Sequence, residues 1–431
     1  MQFSFLERRG DPARGAGVSG VPGVWPVGPM IVLLVGLLAA LPACSDPSPR
    51  VTKGVHEAPP QGVPVVENVE SSARVEEWRA QEQLRVGAAD GEAAFGRVAD
   101  VAPRAAGGLW VLDAQSNVVS GFTEDGSVAV RFGGEGDGPG ELRTPSKVFE
   151  VPGGTILVGS AFPPALHRFD SDGNFLGSSR LTESRDREGN PLPARFAEWQ
   201  SGPAGRAVAN LFAVPGPGQG SRTAHVLVAF ADEDLDRSVR DTIVQWSVPA
   251  TPASPSSPID IVPVRPSWSA GPGDLIWWSP GTPYELRGYD AKGTPVRIIT
   301  LDREPIRVTR EIEEALIRDL RASAAAGPGG SAVVERALER ARWPKSLPHV
   351  ADLWVSHPGG QLFVLTWAAD SYDATAPRRL DVFEKGGRYA AQLTLPSRFS
   401  PRRFADGAVY GVERDELGVD YAVRYAIGPV E

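Results

Sequence analysis

Five histidines, two glycine- and aspartate-rich clusters and an adjacent tryptophan pair are the residues of this 431-residue chain whose types could do chemistry. A zinc protease needs H-E-x-x-H, so that two imidazoles on one helix face reach the metal while the glutamate activates water. A hydrolase elbow needs G-x-S-x-G at a sharp strand-to-helix turn. Neither pattern occurs, and His56, His167, His225, His349 and His357 are scattered. His349 and His357 flank one apolar run and could approach each other, but core or surface placement is expected of both. "GGEGDGPG", Gly133 to Gly140, lacks the G-x-G-x-x-G or Walker spacing of a phosphate cradle, and the following "ELRTPSKV" is not helix-like. A connector between repeated units is expected there. "DSDGN", Asp170 to Asn174, opens like a calcium loop without its later ligands, and a hairpin turn is expected. Trp277 and Trp278 alternate along a strand, so one should pack inside while the other could line a surface for sugar or peptide. Carboxylates such as Asp113 are too scattered to assemble as a ligand set. No catalytic, cofactor-binding or metal-ligating residue is assigned.

The remaining reactive residue is Cys44, the only cysteine. It follows an apolar run, Met30 to Leu41, of about a dozen residues, where a membrane-spanning helix needs roughly 20. Arg8, Arg9 and Arg14 precede the run, and small residues end it. This is the layout of a secretory leader. "LPAC", Leu41 to Cys44, resembles the bacterial lipobox, Leu-x-Ala/Gly-Cys. The resemblance implies cleavage before Cys44, lipid on that cysteine, and a membrane as the first partner. One acyl chain binds only reversibly, at roughly 0.8 kcal/mol per buried CH₂, so the several chains of a lipoprotein imply lasting attachment. Ser45 resembles the signal for transfer to the outer membrane, facing the periplasm or the cell surface. Asp at that position is the usual retention signal, and Asp46 comes one place later, which leaves the choice of membrane open. With Cys44 lipidated, no free thiol or disulfide remains, and stability must come from apolar burial.

Residues 1–43 hold three of the 44 basic and two of the 53 acidic residues, which leaves the mature chain near −10. That acidity argues against a nucleic-acid partner, and Arg402-Arg403 reads as an isolated basic pair. Residues 44–72 are rich in Pro, Gly and small polar residues and read as a flexible tether. The folded unit is expected over 73–431.

The elements of that unit come from a repeat. "GFTEDG", "RFDSDG", "GYDAKG" and "VFEKGG" each place an aromatic four residues before a glycine: Phe122/Gly126, Phe169/Gly173, Tyr289/Gly293 and Phe383/Gly387. A strand ending on a core aromatic, followed by a turn whose glycine takes a positive φ, fits this spacing. Upstream lie glycine-led apolar strands, "GGLWVLDA", "GGTILVGS", "GDLIWWSP" and "GGQLFVLT", with weaker copies "GRAVANLF" and "DGAVYGVE". Six strand-starts spaced by about 45 to 50 residues where uninterrupted match propeller blades of four strands. A helical insertion is expected at about 308–342, with Thr309 as N-cap and Ile312, Leu316, Ile317 and Leu320 on one face.

Leu84 to Leu142, continuing through "FGGEGDGPGELRTPSKV", resembles the first blade of bacterial six-bladed propellers of the NHL and TolB-like groups. The resemblance implies an all-β, six-bladed β-propeller, expected to be monomeric. Trp78 to Gly87 has no blade of its own and should close the ring as the outer strand of the last blade, removing open edges. Such folds host unrelated activities. A binding or scaffold module for a protein, peptide or carbohydrate ligand at the channel face is expected; the alternative is a lactonase-like hydrolase using channel carboxylates, with or without a metal.

Overall fold

In the computed structural model the described residues are 62–430, except 71–74, 89–93, 182–195, 202–206, 214–221, 231–239, 250–257, 274, 326–329, 372 and 374–375. The leader, Cys44, His56 and most of the expected tether lie outside them.

The repeat resolves into antiparallel meanders of consecutive strands: three stand as four-stranded sheets, one carries a fifth strand, and the last two are joined through Glu76–Val86 into one eight-stranded sheet. The first comprises Val98–Pro103, Leu109–Asp113, Val118–Phe122 and Val128–Gly133; the second Pro145–Val151, Thr155–Ala161, Pro164–Phe169 and Phe175–Arg180. The third comprises Phe196–Ser201, Ala207–Ala213, Arg222–Phe230 and Arg240–Pro249; the fourth Ser267–Ala270, Ile276–Ser279, Glu285–Tyr289 and Pro295–Asp302. The fifth comprises Val350–Val355, Leu362–Thr366, Arg378–Phe383 and Tyr389–Leu395; the last has Phe399–Ala405, Ala408–Arg414 and Asp420–Pro429. Every glycine-led run is the second strand of its sheet, and the four aromatics end third strands.

The first strand of each sheet touches the first strand of the next, and the last sheet's touches that of the first sheet. The sheets therefore stand radially around one axis, as in a β-propeller, with their first strands lining a central lumen. Glu76–Val86 supplies the missing outer strand of the last sheet, running antiparallel to Asp420–Pro429 from Trp78↔Pro429 to Val86↔Ala422. N- and C-terminal segments thus share one sheet, which closes the ring.

The expected tether boundary at residue 72 moves. Val65–Val69 forms a fifth strand on the fourth sheet, parallel to Pro295–Asp302. Asn68 then bridges two sheets: its Nδ2 donates to the carbonyls of Thr300 and Gly387, and its Oδ1 accepts from the Tyr389 amide. Three valines in five residues supply the β-branched side chains that favour this conformation. The prolines and glycines around them conceal the strand in the sequence.

Burial lies between the sheets. Trp199 joins the second and third, Trp278 the third and fourth, and Trp277 the fourth and fifth. The hairpin glycines are part of this packing. Gly126, Gly173, Gly293 and Gly387 have φ of 84, 83, 82 and 94°. Each presses on the outer strand of the preceding sheet: a Cβ on Gly173 would meet Phe132 at 2.8 Å, one on Gly293 the Thr242 carbonyl oxygen at 2.6 Å, and one on Gly387 Ile299 at 2.8 Å. At these three the glycine is required twice, by its backbone angle and by close approach; at Gly126, where a Cβ would meet Val86 at an ordinary 3.5 Å, it is required by its angle.

The two described helices, Arg310–Ala325 and Gly330–Leu338, fall in the connector between the fourth and fifth sheets. The first begins with Glu313 donating to the Thr309 carbonyl, which places Thr309 at the N-cap. Ile312 and Leu316 bury against Val262 and Leu347, so the apolar stripe packs on the protein itself.

Candidate functional site

The lumen is lined by side chains that the first strands of the sheets hold at one level. Asp100, Lys147, Glu198, Ser269 and Asp352 are each the third residue of such a strand, and Arg402 and Arg403 stand on the last. In four of these strands the register slips by one residue at this level, between Val98 and Asp100, Pro145 and Lys147, Val350 and Asp352, and Pro401 and Arg403. A bulge re-aims the side chains beside it. Repeated around the ring, it turns a level of strand residues into a level of lumen residues. Asp352 on the fifth sheet is electrostatically coupled to Glu198 on the third and Lys147 on the second. The fifth sheet neighbours neither the second nor the third, so this interaction runs across the lumen.

Part of this charge is structural. Asp100 is fully buried, and its Oδ2 accepts from the Val148 amide at 3.0 Å and from Arg403 Nη2 at 2.8 Å. Lys147 Nζ lies 3.7 Å from its Oδ1. Burial opposes the Asp100 charge, but Lys147, Arg403 and the Val148 amide outweigh it and hold the carboxyl below the usual range. Arg403 also donates to the Val148 carbonyl at 2.6 Å, tying together the last, first and second sheets. Gln200 does the same for the third and fourth, donating to the Trp268 carbonyl and accepting from the Ala270 amide. Ser269 Oγ accepts from the Val355 amide across the next seam.

Asp352 and Arg402 are different. Both are half-buried. Asp352 accepts from the Leu353 amide at 2.9 Å. Burial pushes it up to about 7, against the Leu353 amide and with the help of Glu198. Arg402 donates to the carbonyls of Ala99 at 3.1 Å and Pro401 at 3.4 Å. No carboxylate stands within ion-pair distance of it among the described residues, and burial lowers its pKa against the attraction of Asp100, Asp420 and Asp352. Arg378, whose Nε donates to the Ser397 carbonyl at 3.3 Å, is pushed down to about 10 by burial and, to a lesser extent, by Arg402. Ionisable groups held without an ion pair, as Asp352 and Arg402 are among the described residues, mark a candidate ligand site. Among the described residues no three of His, Cys, Asp and Glu converge as a metal-ligand set.

The residues singled out in the sequence lie elsewhere. His167 faces Ser160 Oγ at 3.2 Å, and burial pushes it down to about 4. His225 stacks between Phe212 and Trp246, at 4.9 and 5.2 Å, and is also pushed down to about 4 by burial. His349 and His357 sit at opposite ends of Val350–Val355 and do not meet. His349 Nε2 lies 3.3 Å from the Arg303 carbonyl, and His357 Nε2 3.1 Å from that of Ala270. Both tryptophans of the Trp277-Trp278 pair are buried, each in a different inter-sheet layer, so neither lines a surface. A strand packed on both faces buries both alternating positions. Asp113 accepts from the amides of Gly96, Arg97 and Gln115 and from Ser116 Oγ, and serves a turn. Asp170 does likewise for Asp172 and Asn174, as expected of a hairpin turn. Gly133–Gly140 joins the first sheet to the second. The pair read as isolated, Arg402-Arg403, is the lumen's main positive element. Asp352, inside "HVADLWV", carried no motif. Its signal was its place one strand before a glycine-led run, the place that Asp100 and Lys147 also hold.

No family model and no curated protein matches the chain. Among solved structures it is similar to a protein of Bacteroides fragilis described as exported, at 12% identity over 85% of this chain and 100% of that one, TM-score 0.45. It is similar to a member of the duf4221 family from Bacteroides vulgatus, at 10% identity over 82% and 99%, TM-score 0.42. A gluconolactonase from Xanthomonas campestris follows at 14% identity over 80% and 97%, TM-score 0.39. These likenesses are remote and assign no activity to the chain.

Proposed function

We propose that the chain is a lipid-anchored, extracytoplasmic, six-bladed β-propeller that binds a ligand in its central lumen. The leader-like segment and "LPAC" at Leu41–Cys44 support the anchor and the export. The observation that carries the binding role is Asp352 and Arg402: two ionisable groups on neighbouring first strands that attract one another without forming an ion pair, and neither has another ion-pair partner among the described residues. A purely structural channel would pair them, because buried unpaired charge is costly. The test is a thermal-shift screen of the purified full chain against carbohydrates, short peptides and small metabolites. A hit should be lost in the double variant Lys147→Met/Glu198→Gln. If no hit responds to lumen substitutions, the binding role is wrong.

A second reading has one observation in its favour. A carboxyl poised near neutrality beside a second carboxylate, Asp352 and Glu198, is suited to general acid–base work. Lactone or ester turnover that disappears in Asp352→Asn would replace binding by hydrolysis.

A further inference from the structure

We infer that the ligand is a neutral saccharide, whose ring stacks on Phe162 and Phe196 while its hydroxyls bond the Glu198 carboxylate. This rests on the lumen being the binding site and adds the chemical class of its ligand.

A row of rings crosses the third sheet. Phe196 opens the first strand, Phe212 stands opposite it on the second, His225 opposite Phe212 on the third, and Trp246 opposite His225 on the fourth. Consecutive centroids lie 5.3, 4.9 and 5.2 Å apart, with interplanar angles of 18, 23 and 10°. Trp246 is buried, while Phe196, Phe212 and His225 are half-buried. The second sheet extends the row. Phe162, on the turn between that sheet's second and third strands, stacks on Phe196 at 5.1 Å and 29°. It is 51% exposed, and among the described residues it is the one exposed Phe, Tyr or Trp. A large ring left in water at the end of a stack is unfavourable, and a flat apolar surface laid against it recovers that free energy. The stack also orients the ring beforehand, so little side-chain freedom is lost on binding.

Polar groups follow the rings into the lumen. Glu198 is two residues from Phe196, so it lies on the same side of the strand and roughly 7 Å along it. Asn210 stands opposite Glu198, and its Nδ2 donates to Glu198 Oε2 at 3.4 Å. That leaves Asn210 Oδ1 to accept from His225 Nδ1 at 3.2 Å. The ring row thus orients the amide, and the amide orients a half-buried carboxylate, an acceptor for hydroxyls. The same level carries both signs, Asp100, Glu198 and Asp352 with Lys147, Arg402 and Arg403, so it favours neither an anion nor a cation. A sugar ring is neutral, apolar on its C–H face and lined with hydroxyls at its edge. It matches an aromatic platform set beside polar groups of mixed charge.

The test is an array of neutral oligosaccharides probed with the full chain in detergent, followed by calorimetry on the hits. At least one oligosaccharide should bind. Sorbitol, with hydroxyls and no ring, and cyclohexanol, with a ring and one hydroxyl, should each bind at least tenfold more weakly. Phe162→Ala should weaken the hit by about tenfold, and Phe162→Trp, which keeps a platform, should retain it. Glu198→Gln should also weaken it by about tenfold. Leu176→Ala, at an exposed position on the outer strand of the same sheet as Phe162, should leave binding unchanged. Saccharide binding untouched by Phe162→Ala or by Glu198→Gln would overturn the arrangement. Binding lost in Phe162→Ala but kept in Lys147→Met/Glu198→Gln would overturn the lumen reading and move the site to the surface around Phe162. No glycan bound, with a non-sugar hit of the thermal-shift screen lost in Lys147→Met/Glu198→Gln, would overturn the saccharide inference and leave the lumen as the site. No response in either screen would overturn both.

Discussion

Replacing Gly293 by alanine should destabilise the protein through contact as well as conformation, and Gly418 provides the comparison that separates the two. Both sit in tight turns between strands with nearly the same backbone angle, φ of 82 and 84°. An alanine there meets the left-handed penalty, on the order of 1–2 kcal/mol. The stiffer unfolded chain offsets roughly 0.4–1 kcal/mol of it. At Gly418 a new Cβ has nothing within 4 Å, so Gly418→Ala should cost only about 1 kcal/mol. At Gly293 the same Cβ would stand 2.6 Å from the Thr242 carbonyl oxygen and 3.1 Å from the Ile243 Cα. Both are backbone atoms of the third sheet's outer strand and cannot rotate away. Overpacking of this kind typically adds 1–3 kcal/mol, which brings Gly293→Ala to roughly 2–4 kcal/mol. The assay is the urea midpoint and melting temperature of each variant beside the wild type, with unchanged circular dichroism as the check on fold. Gly293→Ala should melt several degrees below Gly418→Ala. Equal losses would mean that the hairpin does not bear on the neighbouring sheet, and the account of the repeated aromatic–glycine spacing would fall with it.

Cys44→Ser should abolish palmitate labelling and release an unprocessed or soluble product, and labelling that persists would remove Cys44 from the anchor. Deleting 45–61 should leave the melting temperature unchanged, deleting 45–70 should lower it by removing the strand Val65–Val69, and deleting 45–86 should lower it sharply by opening the ring; three equal values would refute the closure. Asp352 is raised from 3.8 to about 7 in the fold, so its neutral form is favoured there: its contribution is complete below pH 4 and is lost as the pH rises through 7. Glu198, Lys147 and Arg402 face it. Asp352→Asn should therefore stabilise the protein at pH 8 relative to pH 4, with a ceiling of about 4 kcal/mol that lumen water reduces; a stability difference independent of pH would refute the shift. Gln200→Ala removes two hydrogen bonds across one seam and should cost roughly 1–3 kcal/mol in urea unfolding, and a neutral result would show that the seam is held elsewhere.

The sequence by itself determined what depends on local geometry. An aromatic four residues before a glycine has to end a strand and turn, and four such turns appear at Phe122, Phe169, Tyr289 and Phe383, each glycine with positive φ. The helix stripe was legible because Ile312 and Leu316 repeat at the helical period, and closure was legible because Trp78 to Gly87 precedes the first blade with no blade of its own; the parallel pairing of Glu76–Arg79 with Tyr389–Leu395 was not legible. Val65–Val69 was not, since its pairing energy comes from Pro295–Asp302, more than two hundred residues away. The fate of Trp277 and Trp278 needed the tertiary structure too, because alternation says only that two residues point to opposite faces, and both faces turned out to be covered. The lumen was hidden for the same reason. Asp100, Lys147, Glu198, Asp352 and Arg402 lie on separate strands up to about three hundred residues apart, with no motif spacing to join them. Only the closing of the ring brings them to one level, and only the slip in register at Arg402 decides which of two adjacent arginines pairs with Asp100 and which bonds the carbonyls of Ala99 and Pro401.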